Sequence, residues 1–114
     1  MRRLIFNVSG QKIETNSNCD VDNIVAGSEG YLMAKFMFYG NSWKGFKKAA
    51  RFIGEDGIEH AALLDTNDTC VVPAEVLDGA YFKVGTMEAT DDQQIVTSWV
   101  TIDTRRCDKC LIKF

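Results

Sequence analysis

Short runs of alternating apolar and polar residues recur along the chain, and clusters of turn-forming residues separate them. Alternation with a period of two is typical of a β-strand that buries one face. The predicted strands are residues 4–8, 31–38, 58–64, 80–86 and 95–102. Because turn signals recur at intervals of roughly ten residues, the pattern favours a sandwich or a barrel over alternating strand and helix units.

Two of these strands are predicted to begin hairpins. Ser9-Gly10 separates the first strand from a second alternating run at residues 11–14. The third strand is followed by residues 65–68, whose side chains stabilise turns, and then by a β-rich run at residues 69–72.

Two segments carry helical signals. Pro73 stands at the favoured first position of a predicted single helical turn over residues 73–77, and Gly79 follows its end. In residues 43–53 the local apolar period favours a short helix. The apolar residues at helical spacing there are Trp43, Phe46, Ala50 and Ile53.

Size and composition predict one globular domain over residues 1–114. The chain is 46% hydrophobic and 25% charged, which are ordinary values for a folded domain. It has no run approaching the roughly 20 apolar residues that cross a bilayer, so no membrane partner is expected. The first ten residues turn polar too soon for a signal peptide, which predicts synthesis in a cytoplasm.

The charge balance argues against a nucleic-acid partner. The formal net charge is −3, and acidic residues lie between and around the basic ones, whereas nucleic-acid binders carry a basic excess that neutralises phosphates. The two basic groups are Lys44, Lys47, Lys48 and Arg51, and then Arg105, Arg106, Lys109 and Lys113.

The four cysteines do not form a metal-site motif. Cys107 and Cys110 make one CxxC, but Cys19 and Cys70 are isolated, and the single histidine, His60, lies in a predicted strand. We therefore expect mostly reduced, metal-free thiols, some of them buried. A labile disulfide between the CxxC cysteines in oxidising conditions is the alternative.

No catalytic constellation and no phosphate-binding glycine motif is present, so the sequence predicts no enzyme, no catalytic residue and no cofactor. The paired carboxylates lie in polar loops, where solvated turn residues are the expected interpretation. These pairs are Asp20 with Asp22, Glu55 with Asp56, and Asp91 with Asp92.

The aromatic residues could form a sugar-binding surface, but a domain this small needs large apolar side chains inside it, so we expect most of them in the core. They are Tyr31, Phe36, Phe38, Tyr39, Trp43, Phe46, Tyr81, Phe82 and Trp99.

The order of these signals resembles a known family. The most specific segment is Cys70-x-x-Pro73-x-x-Val76-Leu77, followed by Gly79 and the strand at residues 81–84. Upstream of it lie a hairpin at 4–13, an aromatic strand at 31–38, Trp43-Lys44-Gly45, and strands at 48–52 and 58–64. This order is similar to the small N-terminal β-sandwich domain of baseplate upper proteins and related tail or head fibre proteins of phages that infect Gram-positive bacteria.

The resemblance implies an all-β fold, namely a small immunoglobulin-like or jelly-roll-like sandwich with one short helical turn. It implies that residues 48–53 form a strand, against the local helical period. It also implies structural roles for three residues: Trp43 as a core anchor, Pro73 as a strand terminator and Gly79 as a turn residue.

The implied function is that of a non-enzymatic phage structural protein, either a tail or baseplate component or a head-fibre or decoration protein. Its partners would be other virion proteins and copies of itself, with host-surface carbohydrate as a further candidate. Family members often continue into a long fibre region, whereas this sequence ends at Phe114, so we do not expect a complete adhesin. A carbohydrate-binding or host-protein-binding module, including a phage-encoded inhibitor of a host protein, is the alternative.

Overall fold

A computed structural model describes residues 2–17, 32–89 and 95–104. These residues form strands and one turn of 3-10 helix. In chain order the strands are β1 (Arg2–Ser9), β2 (Lys12–Thr15), β3 (Leu32–Tyr39), β4 (Lys48–Gly54), β5 (Glu59–Leu63), β6 (Thr69–Val71), β7 (Tyr81–Glu88) and β8 (Val100–Asp103). The 3-10 turn, Ala74–Asp78, lies between β6 and β7.

The strands form two four-stranded sheets, with the orders β2-β1-β3-β6 and β5-β4-β7-β8. The pairs are antiparallel except for β1 and β3, which run parallel in a register that sets Leu4 beside Ala34 and Phe6 beside Phe36. The predicted all-β sandwich with one short helical turn is confirmed. The hairpin predicted from residues 58–64 and 69–72 is wrong, because β5 pairs with β4 in the second sheet and β6 pairs with β3 in the first. The turn at residues 65–68 therefore connects the two sheets.

Alternate residues of both sheets meet in one core, because side chains of a strand point to opposite faces in turn. Phe6 and Phe36 of the first sheet stack with ring centroids 5.2 Å apart. The second sheet contributes Phe52, Phe82 and Ile102. Val76 and Leu77 of the 3-10 turn are also buried.

The segment from Trp43 to the start of β4 is a turn, so the interpretation of residues 43–53 as a helix was wrong. Gly40 and Gly45 both have positive φ, +79° and +84°, a conformation that interrupts a right-handed helix and that glycine adopts without steric strain. Trp43 is 1% exposed, and its Nε1 donates a hydrogen bond of 2.7 Å to the Gly10 carbonyl. The strand that the family resemblance implied for residues 48–53 is confirmed.

The prediction of a strand over residues 95–102 was wrong in its bounds, because the regular strand runs only from Val100 to Asp103. Val96 pairs with Met87, whereas Val100 pairs with Val84, so the later strand carries one more residue than β7 over this stretch. This is a β-bulge. The extra residue reverses the inward and outward alternation, so Thr97 and Ile102 are both buried although they lie five residues apart, an odd spacing.

Two threonines lie at this bulge, and replacing each of them with valine should change the stability of the protein in opposite directions. The Thr97 Oγ1 accepts a 2.8 Å hydrogen bond from the Thr86 backbone N–H, whereas the buried Thr86 Oγ1 has no partner among the described residues. Thr97→Val should lower the free energy of unfolding by about 1–3 kcal/mol, because it leaves a buried N–H unpaired. Thr86→Val should raise it by about 1 kcal/mol, because it removes an unpaired hydroxyl at constant volume.

Urea denaturation of the two valine variants measures both effects, and each variant is the matched control for the other. A shift of both in the same direction would contradict this account of the bulge.

Candidate protein–protein contact surface

The edges of the two sheets are the surfaces at which an all-β domain most readily gains a partner, because an edge strand presents unpaired backbone groups. In the described part of the chain, β2 and β6 border the first sheet, and β5 and β8 border the second. Among these edge strands, β5 is the longest, with five residues.

The hydrogen-bond register shows which backbone groups of β5 point away from the sheet. The Leu64 N–H donates a 3.0 Å bond to the Lys48 carbonyl. Because hydrogen-bonded and non-hydrogen-bonded pairs alternate along an antiparallel ladder, the next bonded pairs are Ala62 with Ala50 and His60 with Phe52. The N–H and C=O groups of Glu59, Ala61 and Leu63 therefore point outward at the free edge.

Apolar side chains are unusually accessible at this edge. Leu63 is 69% exposed, and Ile58, just before β5, is 57% exposed. The other exposed large apolar residues of the described chain are Tyr39 and Val71, which belong to the first sheet. The β5 edge thus combines free backbone groups with exposed aliphatic side chains.

One ion pair accounts for the charged side chain on β5. The Arg51 Nε lies 3.1 Å from the Glu59 Oε2, and the Arg51 guanidinium lies 4.2 Å from the centroid of the Trp99 ring. Trp99 in turn lies against Gly85, where an added Cβ would come within 3.4 Å of the ring. Arg51 therefore covers one face of Trp99 and offsets the charge of Glu59.

An open cleft of about 530 Å³ lies at the carboxyl end of β5. Beside it, the Lys48 Nζ lies 3.5 Å from the Asp68 Oδ1 and 5.0 Å from the Phe38 ring centroid. The residues that line the cleft are Phe46, Lys47, Lys48, Leu63, Leu64, Asp65, Thr66 and Asp68.

The loop carboxylates Glu55 and Asp56 both accept hydrogen bonds from backbone N–H groups. The Glu55 Oε1 accepts a 2.7 Å hydrogen bond from the Ala80 N–H, and the Asp56 Oδ1 accepts one of 2.9 Å from the Ile58 N–H. With Glu75 and Asp78 they border a cleft of about 360 Å³. The pairs Asp20 with Asp22 and Asp91 with Asp92 lie outside the described residues.

Cys70 is a buried free thiol on β6. Burial, and secondarily the negative charge of Asp65, raises the pKa of the Cys70 thiol to about 12. It is therefore protonated at neutral pH and is a poor nucleophile. Cys19, Cys107 and Cys110 lie outside the described residues.

His60 does not meet a metal-ligating cluster. It is half-buried on β5 opposite Phe52. No group of three or more potential metal ligands occurs within residues 2–17, 32–89 and 95–104. Within the same ranges, no helix is long and apolar enough to cross a membrane.

The aromatic residues divide as expected between core and surface. Phe36, Trp43 and Phe82 are buried, and Phe38 and Phe46 pack against the core from partly exposed positions. Tyr39 is 48% exposed at the end of β3. Tyr31 lies outside the described residues.

No family model and no curated protein matches the sequence. A solved structure does match the fold: the N-terminal domain of phage TP901-1 ORF48 superposes with a TM-score of 0.54. The match covers 92% of this chain and 99% of that domain, at 13% sequence identity. This chain has the fold of the ORF48 N-terminal domain. The fold implied by the sequence resemblance is thereby confirmed, over nearly the whole length of the ORF48 domain.

Proposed function

We propose that this chain is a non-enzymatic structural component of a phage particle that acts through protein–protein contacts. The observation that carries the proposal is the fold shared with the ORF48 N-terminal domain across 92% of the chain. Because one fold can host many functions, the proposal also needs support from the chain's own surface.

The surface supplies that support. The free edge of β5 and the exposed Ile58 and Leu63 are features of a contact surface. The loop carboxylates Glu55 and Asp56, by contrast, accept backbone hydrogen bonds, and the Cys70 thiol is protonated at neutral pH. These residues stabilise the fold instead of offering reactive groups.

Within the particle we propose a place in the tail baseplate, with other virion proteins and copies of the chain as partners, and with residues 1–114 as one domain. A head-fibre or decoration protein is the other virion position. In either case the protein is made in the host cytoplasm and assembled there.

Mass spectrometry of purified phage particles tests the virion role. Peptides of this chain should be recovered in many copies per particle, at intensities comparable with those of known tail proteins. A phage protein made early in infection and known to stay outside the particle controls for carry-over from the lysate. Immunogold labelling of intact particles then separates a tail-tip position from a position on the head.

The competing function is a carbohydrate-binding or host-protein-binding module, including an inhibitor of a host protein. A sugar platform needs accessible aromatic faces, whereas Trp43 and Phe82 are buried and one face of Trp99 is covered by Arg51. Absence from purified particles together with tight binding to a host protein would overturn the virion role in favour of this alternative.

A further inference from the structure

The four sheet edges of the described chain differ in how they discourage pairing. Strand β2 carries the exposed charges Lys12 and Glu14, and β8 carries Asp103. Strand β6 has only three residues. Strand β5 has an exposed alanine and an exposed leucine at Ala61 and Leu63, without proline, lysine or a bulge. Charges, short length and bulges are the usual protections of an edge. Strand β5 is the longest of the four edges, and its one charged residue, Glu59, is paired with Arg51 at 3.1 Å, so β5 is the least protected edge.

We propose that this edge binds the β5 edge of a second copy of the chain, antiparallel, about a two-fold axis that passes between the two Ala61 residues. In that register Ala61 faces Ala61 of the second copy, and Glu59 faces Leu63 of the second copy. Each of these residues directs both backbone groups outward, so each facing pair closes two hydrogen bonds, as in a regular antiparallel ladder. The two sheets become one continuous sheet, and the contact closes as a symmetric dimer.

The side chains fit this register. Alanine opposite alanine at the axis allows close approach, and the exposed Ile58 faces Leu64 of the second copy, so apolar residues meet on the side of the sheet toward the core. Leu63, which is 69% exposed in the single chain, lies beside the aliphatic part of Glu59 of the second copy. Both of the exposed aliphatic side chains at this edge are then covered.

The charges also favour this register. Glu59 is the acidic residue of β5, and the two Glu59 residues of the dimer lie four strand positions apart, about 14 Å at the usual rise per residue. That separation exceeds the screening length of about 8 Å at physiological salt. Each Glu59 keeps its own Arg51 at 3.1 Å. A register centred on Glu59 would instead place the two carboxylates opposite each other.

The contact is short, because each strand has five residues. It is therefore smaller than the interface of about 1,200 Å² that characterises stable complexes, so we expect a weak dimer whose population rises with concentration. Many copies held together in a particle would favour it. The role of this dimer in a particle rests on the proposed function. The pairing itself is measured on the isolated chain, so the dimer and the virion role can each fail without the other.

Sedimentation equilibrium of the full chain over a concentration series, under reducing conditions, tests the dimer. Ala61→Lys should weaken association by up to about fivefold, because two like charges then face each other across the axis. Thr101→Lys is the matched control: it adds the same charge at an exposed position of β8, the opposite edge of the same sheet, and should leave association unchanged. Equal urea midpoints for the two variants show that both are folded.

Amide hydrogen exchange locates the contact. At high protein concentration the amides of Glu59, Ala61 and Leu63 should exchange more slowly, whereas those of His60 and Ala62, already bonded to β4, should not change. The inference is overturned by a chain that remains monomeric at the highest concentration, or by Ala61→Lys associating as strongly as the unaltered protein. It is also overturned by a dimer that leaves the three edge amides unprotected, because that dimer would form through another surface.

Discussion

Replacing Trp43 with alanine should lower the free energy of unfolding by about 3–5 kcal/mol, the cost of removing a large fully buried aromatic side chain. Trp43 is 1% exposed, its ring lies 5.2 Å from that of Phe38, and its Nε1 bonds to the Gly10 carbonyl. Its side chain therefore links the β3–β4 connection to the β1–β2 turn. Urea denaturation followed by far-ultraviolet circular dichroism measures the loss in every variant.

Two further variants separate the packing of Trp43 from its hydrogen bond. Trp43→Phe keeps an aromatic ring but loses the Nε1 donor, and should cost about 1–2 kcal/mol. Trp99→Ala removes the other tryptophan, which is half-buried on the outer face of the second sheet, and serves as the matched control. A Trp99→Ala variant as unstable as Trp43→Ala would contradict the anchoring role of Trp43.

Raising the pH above 9 should destabilise the protein through Cys70. The pKa of this thiol is about 12 in the folded protein against an ordinary value of 9.0, because of burial and the charge of Asp65. Below pH 9 the thiol is protonated in both the folded and the unfolded state, so its contribution does not change. Between pH 9 and 12 the unfolded state ionises and the folded state does not, so the free energy of unfolding should fall by roughly 1.4 kcal/mol per pH unit.

The Cys70→Ala variant isolates this contribution, because the other groups that titrate in the same range remain. Urea denaturation at a series of pH values should give a steeper decline for the unaltered protein than for Cys70→Ala, with the difference confined to pH above 9. Parallel curves for the two proteins would show that Cys70 does not control this pH dependence.

Local signals located most strands to within about two residues, which is the usual uncertainty of such boundaries. Strand β3 corresponds to the prediction of residues 31–38, and β7 begins one residue after the start of the predicted 80–86. The 3-10 turn after Pro73 was also predictable, because proline fixes φ and stands well at the start of a helical turn. These features depend on residues close together in the chain.

The segment around Trp43 shows where local pattern fails. Its apolar spacing is helical, but Gly40 and Gly45 hold positive φ and Trp43 is buried against the β1–β2 turn. The bulge at Thr97 was equally hidden, because an uninterrupted alternation gives no indication that the opposing strand has one residue fewer. Sequence order within a known family located β4 where the helical period did not.

The sequence predicted that the protein has protein partners, but it did not predict which strand lies at the candidate contact surface. The sequence by itself determined an all-β chain, the turns between most strands and the absence of a recognisable catalytic motif, because alternation and turn chemistry act over a few residues. Only the tertiary structure decided that β1 pairs in parallel with β3, that the Thr97 bulge reverses the alternation, and that β5 lies at an open edge. A strand lies at an edge or in the centre of a sheet according to which strands pair with it. Those partners are distant in the chain, so the strand's own residues do not determine its position.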